Sequence, residues 1–111
     1  MNLMNSRVTR IMALGDEKHP SLLIEFEDGR TAQMYQRIDE EVSFRMTVVD
    51  EENQAEIFPI CSDYFSLFID AMIQFFDTGE IPVPKEQTID VIAVRAAGRK
   101  AFATPYEWIT I

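Results

Sequence analysis

A chain of 111 residues with 47% apolar side chains has the size and composition of one globular domain and lacks the aliphatic-poor, charge-rich character of a disordered one. Its formal charge of -9 and pI near 4.4 exclude an electrostatic grip on nucleic acid or an anionic membrane surface, because both rest on clustered lysine and arginine. The basic residues are scattered, with only Arg99 and Lys100 adjacent.

A single cysteine, Cys61, cannot form an internal disulfide, so nothing points to an oxidising compartment and a cytoplasmic location is expected. No apolar run approaches the roughly 20 residues that span a bilayer. The opening Met1-Asn2-Leu3-Met4-Asn5-Ser6 lacks the basic and apolar regions of a signal peptide.

Along the first half, apolar and polar residues alternate in short runs, the period of half-buried strands. Arg7 to Leu14 is the least regular. Ser21 to Glu27 sets Leu22, Ile24 and Phe26 on one face and Leu23, Glu25 and Glu27 on the other. Asp28-Gly29 then supplies the positive backbone angles of a tight hairpin, and Arg30 to Gln36 returns antiparallel with Ala32 and Met34 on the buried side. A third run, Val42 to Val48, points Val42, Phe44, Met46 and Val48 inward. The polar stretch Asp50 to Asn53 turns the chain into a short strand at Ala55 to Phe58.

After Pro59 the period becomes helical. From Asp63, an N-cap residue, to Thr78, the side chains Phe65, Phe68, Ile69, Met72, Phe75 and Phe76 recur at three- and four-residue spacing, and Gly79 supplies the stop. The link Glu80-Ile81-Pro82-Val83-Pro84 bars helix continuation. A second helix runs from about Lys85 or Glu86 to Ala103 with an apolar stripe of Ile89, Ile92, Ala93, Ala96 and Phe102. Gly98 inside it costs about 1 kcal/mol against alanine and suggests close packing on another backbone. Thr104-Pro105-Tyr106 ends the helix, and Trp108-Ile109-Thr110-Ile111 reads as a last strand. The fold class is therefore α+β over residues 1–111 as a single domain. It has a mostly antiparallel sheet of about five or six strands, with two C-terminal helices packed on one face.

Much chemistry is missing. Dinucleotide binding on a strand-to-helix turn takes three clustered glycines, and the four here, Gly15, Gly29, Gly79 and Gly98, are widely separated. The lysine-bearing phosphate loop is absent too. The one histidine, His19, precedes Pro20 in a turn far from Cys61, which suits neither a metal site nor a nucleophile with its base. The clusters Asp39-Glu40-Glu41 and Asp50-Glu51-Glu52 lack the alternating oxygen ligands and turning glycine of a calcium loop and are solvated turns. Cys61 suits a buried, inert thiol. No catalytic, cofactor-binding or metal residue is assigned.

One feature points to binding. With helices on one side of the sheet, the other side presents Leu23, Glu25, Thr31, Gln33, Tyr35, Ser43, Arg45 and Thr47. This face serves either as wet surface or as a contact with a second copy or another domain.

The stretch Phe65-x-x-Phe68-Ile69-x-Ala71-Met72-x-x-Phe75-Phe76-x-Thr78-Gly79-x-x-Pro82-x-Pro84-x-x-x-Thr88-x-x-Val91-Ile92-Ala93-x-x-x-Ala97, closing on Trp108-Ile109-Thr110-Ile111, resembles the C-terminal end of the Gfo/Idh/MocA (glucose-fructose oxidoreductase/inositol dehydrogenase) family. In that family a helix ends in a Thr-Gly or similar pair, a proline-containing link follows, a threonine opens the next helix, and a final short strand closes the chain. Two positions depart: a serine often found after the Arg-Lys pair is Ala101, and the glycine usually near the last strand is replaced by Pro105-Tyr106-Glu107. The resemblance implies a domain that follows a Rossmann domain, closes one side of the substrate site, and often joins subunits through its open sheet face. NAD or NADP is implied for a full-length member.

The family's Glu-Lys-Pro lysine has only an interrupted echo, Glu17-Lys18-His19-Pro20, and its aspartate-histidine pair has no match. The expectation is the C-terminal substrate-site and dimerisation domain of an NAD(P)-dependent oxidoreductase, inactive by itself. Its partners would be a second copy across the open sheet face and a Rossmann domain missing from this chain. The alternative is a stand-alone interaction module that self-associates or binds a protein partner through the same face.

Overall fold

A computed structural model describes residues 4–36, 45–59 and 63–111. The chain is α+β, with six strands in antiparallel sheets and two C-terminal helices among the described residues. It divides into two compact units, Met1–Glu40 with Val83–Ile111, and Glu41–Pro82.

The first unit holds a four-stranded sheet in the order β3-β2-β1-β6. Its strands are β1 (Val8–Leu14), β2 (Ser21–Phe26), β3 (Thr31–Tyr35) and β6 (Trp108–Thr110). Helix α2 (Lys85–Ala103) packs on one face. Alternation along β1 sends Ile11 and Ala13 toward the helix, and the register sets Ile24 and Ile109 on either side of Ile11 and Leu22 beside Ala13. Ile11, Ala13 and Leu22 form the core with Ala97 and Ala101 of α2, bordered by Val8, Ile24, Val94 and Ile109.

The face of α2 that meets the sheet is not the one hydrophobicity alone selects. Ile89, Ile92, Ala96 and Phe102 are exposed, Ala93 is half-buried, and the buried positions are Ala97, Gly98 and Ala101. Size decides here: small side chains let the helix axis approach the sheet closely enough for Ile11 and Leu22 to fill the gap, which a row of isoleucines would hold open. Gly98 is buried, but a Cβ there would meet only the Leu22 Cδ1 methyl at 3.5 Å, a side chain rather than a backbone.

The β2–β3 turn also has a different form from the two-residue hairpin expected. Only Gly29, at φ 84°, adopts a positive angle. The Gly29 N–H donates to the Phe26 carbonyl and the Phe26 N–H to the Arg30 carbonyl, both at 2.9 Å. The connection is thus a three-residue loop, a tight turn followed by a left-handed residue. The second unit repeats the device between β4 (Arg45–Val49) and β5 (Ala55–Pro59), with Asn53 at φ 63° in the left-handed position. Helix α1 (Tyr64–Thr78) belongs to the second unit. The Asp63 carboxylate caps it by accepting the Ser66 N–H at 3.2 Å, and Gly79 ends it at φ 72° with its N–H on the Phe75 carbonyl.

Past α2, Tyr106 takes φ 65° and donates its N–H to the Ala13 carbonyl at 2.9 Å, which swings the chain back onto β1 as β6. A bulky residue in this region is strained.

Two stability outcomes follow from this packing. Gly98→Ala should raise unfolding free energy by about 1 kcal/mol in urea denaturation, because the helix gains propensity and the new methyl finds ordinary contact. Tyr106→Gly should raise it by up to about 1 kcal/mol by removing left-handed strain, whereas Tyr106→Val should lower it.

Candidate functional site

The side of the four-stranded sheet away from α2 carries the other half of each strand's alternation. The register sets Leu23 beside both Met12 and Gln33, Met12 beside Trp108, and Glu25 beside both Arg10 and Thr31. At its centre the Arg10 guanidinium donates twice to Glu25, Nε to Oε1 at 3.0 Å and Nη2 to Oε2 at 2.8 Å. The same guanidinium lies 4.1 Å from the centre of the Trp108 ring. Hydrogen bonding by Glu25 pushes the arginine's already high pKa further up. The fork-to-fork geometry fixes Arg10 in its plane and the ring face adds a cation–π contact.

Around this cluster Met12, Leu23 and Trp108 are half-buried, and Thr31, Gln33 and Tyr35 are exposed. Gln33 Nε2 donates to the Ser21 hydroxyl at 3.2 Å, and that hydroxyl donates to the Met34 carbonyl at 3.0 Å. Leu23, Glu25, Thr31, Gln33 and Tyr35 therefore share one face. Arg45 and Thr47 belong to β4 in the separate two-stranded sheet, opposite Pro59 and Ile57. Ser43 lies outside the described residues, as do Cys61 and the Asp39-Glu40-Glu41 cluster.

Arg10, Met12 and Trp108 were not singled out by sequence. Arg10 and Met12 join through β1–β2 pairing, and Trp108 through β6 pairing with β1, a contact between opposite ends of the chain that no local pattern announces.

Two polar turns are closed by bonds of their own. Asp16 Oδ1 accepts the backbone N–H groups of Lys18 and His19, at 2.9 and 2.8 Å, and lies 3.2 Å from His19 Nδ1. These bonds, led by the His19 N–H, lower the Asp16 pKa. The pair closes the exposed β1–β2 loop, where a Cβ on Gly15 would fall 2.2 Å from the His19 carbonyl oxygen. Asp50 Oδ1 likewise accepts the N–H groups of Glu52 and Gln54, both at 2.9 Å, so the acidic turn is a hairpin closure. An open groove of about 320 Å³ beside the start of α2 is lined by Ser6, Arg7, Glu27, Pro84, Glu86 and Asp90 among others. Its one cation, Arg7, is paired with Asp90 at 3.2 Å. Among the described residues no cluster of three metal-ligating side chains occurs, and no helix is long and apolar enough to cross a membrane.

No protein-family model, curated protein or solved structure matches the chain.

At the β2–β3 turn a carboxylate is held by its neighbour. Arg30 donates from its guanidinium to Asp28 Oδ2 and from its backbone N–H to Oδ1 at 3.0 Å. Those bonds hold the Asp28 carboxyl at about 2, below its ordinary 3.8. A pKa depressed in the folded state stabilises above the unfolded value, and that contribution is lost as pH falls from 3.8 through about 2. Asp28→Asn should flatten the acid limb of stability against pH in that window, read by denaturant melts at stepped pH.

Proposed function

We propose that this chain is a scaffold and assembly domain of the kind that ends Gfo/Idh/MocA oxidoreductases. It offers the open face of its four-stranded sheet to a second copy and carries no cofactor or catalytic machinery of its own. In such a protein a Rossmann domain supplies NAD or NADP binding, and this domain walls one side of the substrate site.

The observation that carries the reading is the order α1, Thr78-Gly79, proline link, α2, β6, with Gly79 in the left-handed cap and β6 returned to the sheet. Tyr106 adds to it. At the point where the family usually has a glycine before the last strand, this chain has a residue at φ 65°, the conformation glycine adopts freely.

The assembly half rests on the Arg10–Glu25–Trp108 cluster with Met12 and Leu23 beside it. Tryptophan, arginine and methionine are enriched where protein surfaces meet, and anchors held before contact lose little freedom on association. The same face would serve a stand-alone interaction module. The reading frame upstream of Met1 separates the two: a continuous frame with a glycine-rich nucleotide-binding half supports the oxidoreductase domain, and an independent start supports the module.

Two measurements test the proposal. Calorimetric titration of the chain with NAD(H) and NADP(H) should show no binding, and clear saturable heat would overturn it. Leu23→Lys, which puts a charge at the centre of the open face, should remove one self-contact and weaken self-association, read as a lower mass by light scattering at limiting concentration. An unchanged mass would reject this face as the assembly surface.

A further inference from the structure

Helix α1 carries a second apolar surface, on the other unit and independent of the sheet face. At 100° per residue, Phe65, Phe68, Met72, Phe75 and Phe76 fall along one side, and Asp70 and Asp77 project from the opposite side. None of the helix is buried. Phe65, Phe68 and Phe76 are 73%, 62% and 75% exposed, and Met72 and Phe75 are 38% and 40% exposed. Taking a large side chain as about 200 Å², this stripe leaves roughly 500–600 Å² of mostly aromatic surface in water. That is near the top of the range for the largest patch on an ordinary monomer, and such patches are often functional.

We infer that α1 pairs antiparallel with α1 of a second copy of this chain, as a self-contact distinct from the sheet face. Three properties select a second copy as the occupant. The first is area: two such stripes together remove on the order of 1,100 Å² from water, enough to clear the roughly 1,000 Å² that a specific interface needs. The second is symmetry. The stripe has rings at both ends and its smallest, most adaptable side chain near the middle, so a two-fold axis near Asp70 sets Phe65 against the partner copy's Phe76 and Phe68 against its Met72. The third is charge. The helix bears acidic groups and no basic ones, and an acidic helix meets its own copy without repulsion only if its carboxylates lie away from the seam, as Asp70 and Asp77 do. An antiparallel arrangement also sets each helix N-terminus beside the other's C-terminus, where their dipoles offset.

The test is mass by light scattering on the full chain over a wide concentration range. On a Leu23→Lys background, where the sheet face is blocked, the α1 seam alone should hold the chain as a dimer. Adding Phe68→Asp with Phe76→Asp to that background should reduce the dimer to a monomer. If the sheet-face contact alone is wrong, the wild type is a dimer, the α1 variant a monomer, and Leu23→Lys has no effect. A Leu23→Lys chain that stays monomeric at every concentration, or whose mass the two aspartates leave unchanged, overturns the α1 pairing. Should the aspartate variant fail to fold, single cysteines on a Cys61→Ser background read the geometry directly with a short bis-maleimide. Met72→Cys, near the axis, should link into covalent dimers and Phe65→Cys should not. Linking of both rejects the antiparallel arrangement, and linking of neither rejects the contact.

Discussion

The contact between the small-residue face of α2 and the inner side of β1 is the constraint on which the first unit depends. Ile11 is wholly buried, and it is reached from above by Ala97 and Ala101 and flanked within the sheet by Ile24 and Ile109. Because those helix residues are small, the closeness of helix to sheet is set by the sheet's own side chains, and β1 becomes the strand against which everything else is registered. The return of the chain is tied to that strand at two points, the Tyr106 N–H on the Ala13 carbonyl and the Ile111 N–H on the Thr9 carbonyl, both at 2.9 Å. The left-handed turn at Tyr106 is tolerated because its backbone bond and the β6 ladder over-determine it.

The open face is the other consequence of the same alternation. Once Ile11 and Ala13 point to the helix, Arg10 and Met12 must point away, and β6 brings Trp108 beside them. An arginine that enters an interface unpaired loses hydration without compensation. Here Glu25 already holds both donors of the fork in the free chain, so closing a surface over the pair leaves no new charge without a partner. The bonds hold the cluster in one geometry, which is what the proposed contact would ask of it.

What sequence alone disclosed divides by range. The Asp63 cap, the Gly79 stop, the bounds of α2 and the β2–β3 hairpin are local, each set by a few neighbouring residues, and each appears where its signals stand. The hairpin's turn type was missed because Asp-Gly serves both a two-residue loop and a longer one with glycine in the left-handed place. The buried face of α2 was missed because ranking by hydrophobicity favours Ile89, Ile92 and Phe102 over Ala97, Gly98 and Ala101, while the packing ranks by size. Arg10 stayed hidden because its strand is the least regular of the alternating runs, and Trp108 because the pairing of β6 with β1 leaves no local trace, although Leu23 and Glu25 on the neighbouring strand were visible.

Composition and structure meet in the balance between charge and apolar surface. Among the described residues the fully buried apolar side chains are few and several are alanines, while most of the phenylalanines are exposed. In a chain that is nearly half apolar, much of the apolar area of the described residues thus lies in water, which is the kind of surface the proposed contacts would use. The charge of -9 acts in the opposite sense. It repels approaching copies over about a Debye length, which is short at physiological salt, and it yields at the surfaces where apolar area is large and carboxylates are turned away or paired. Long-range repulsion of this kind works against indiscriminate aggregation, and the proposed contacts would have to overcome it with apolar area free of uncompensated charge.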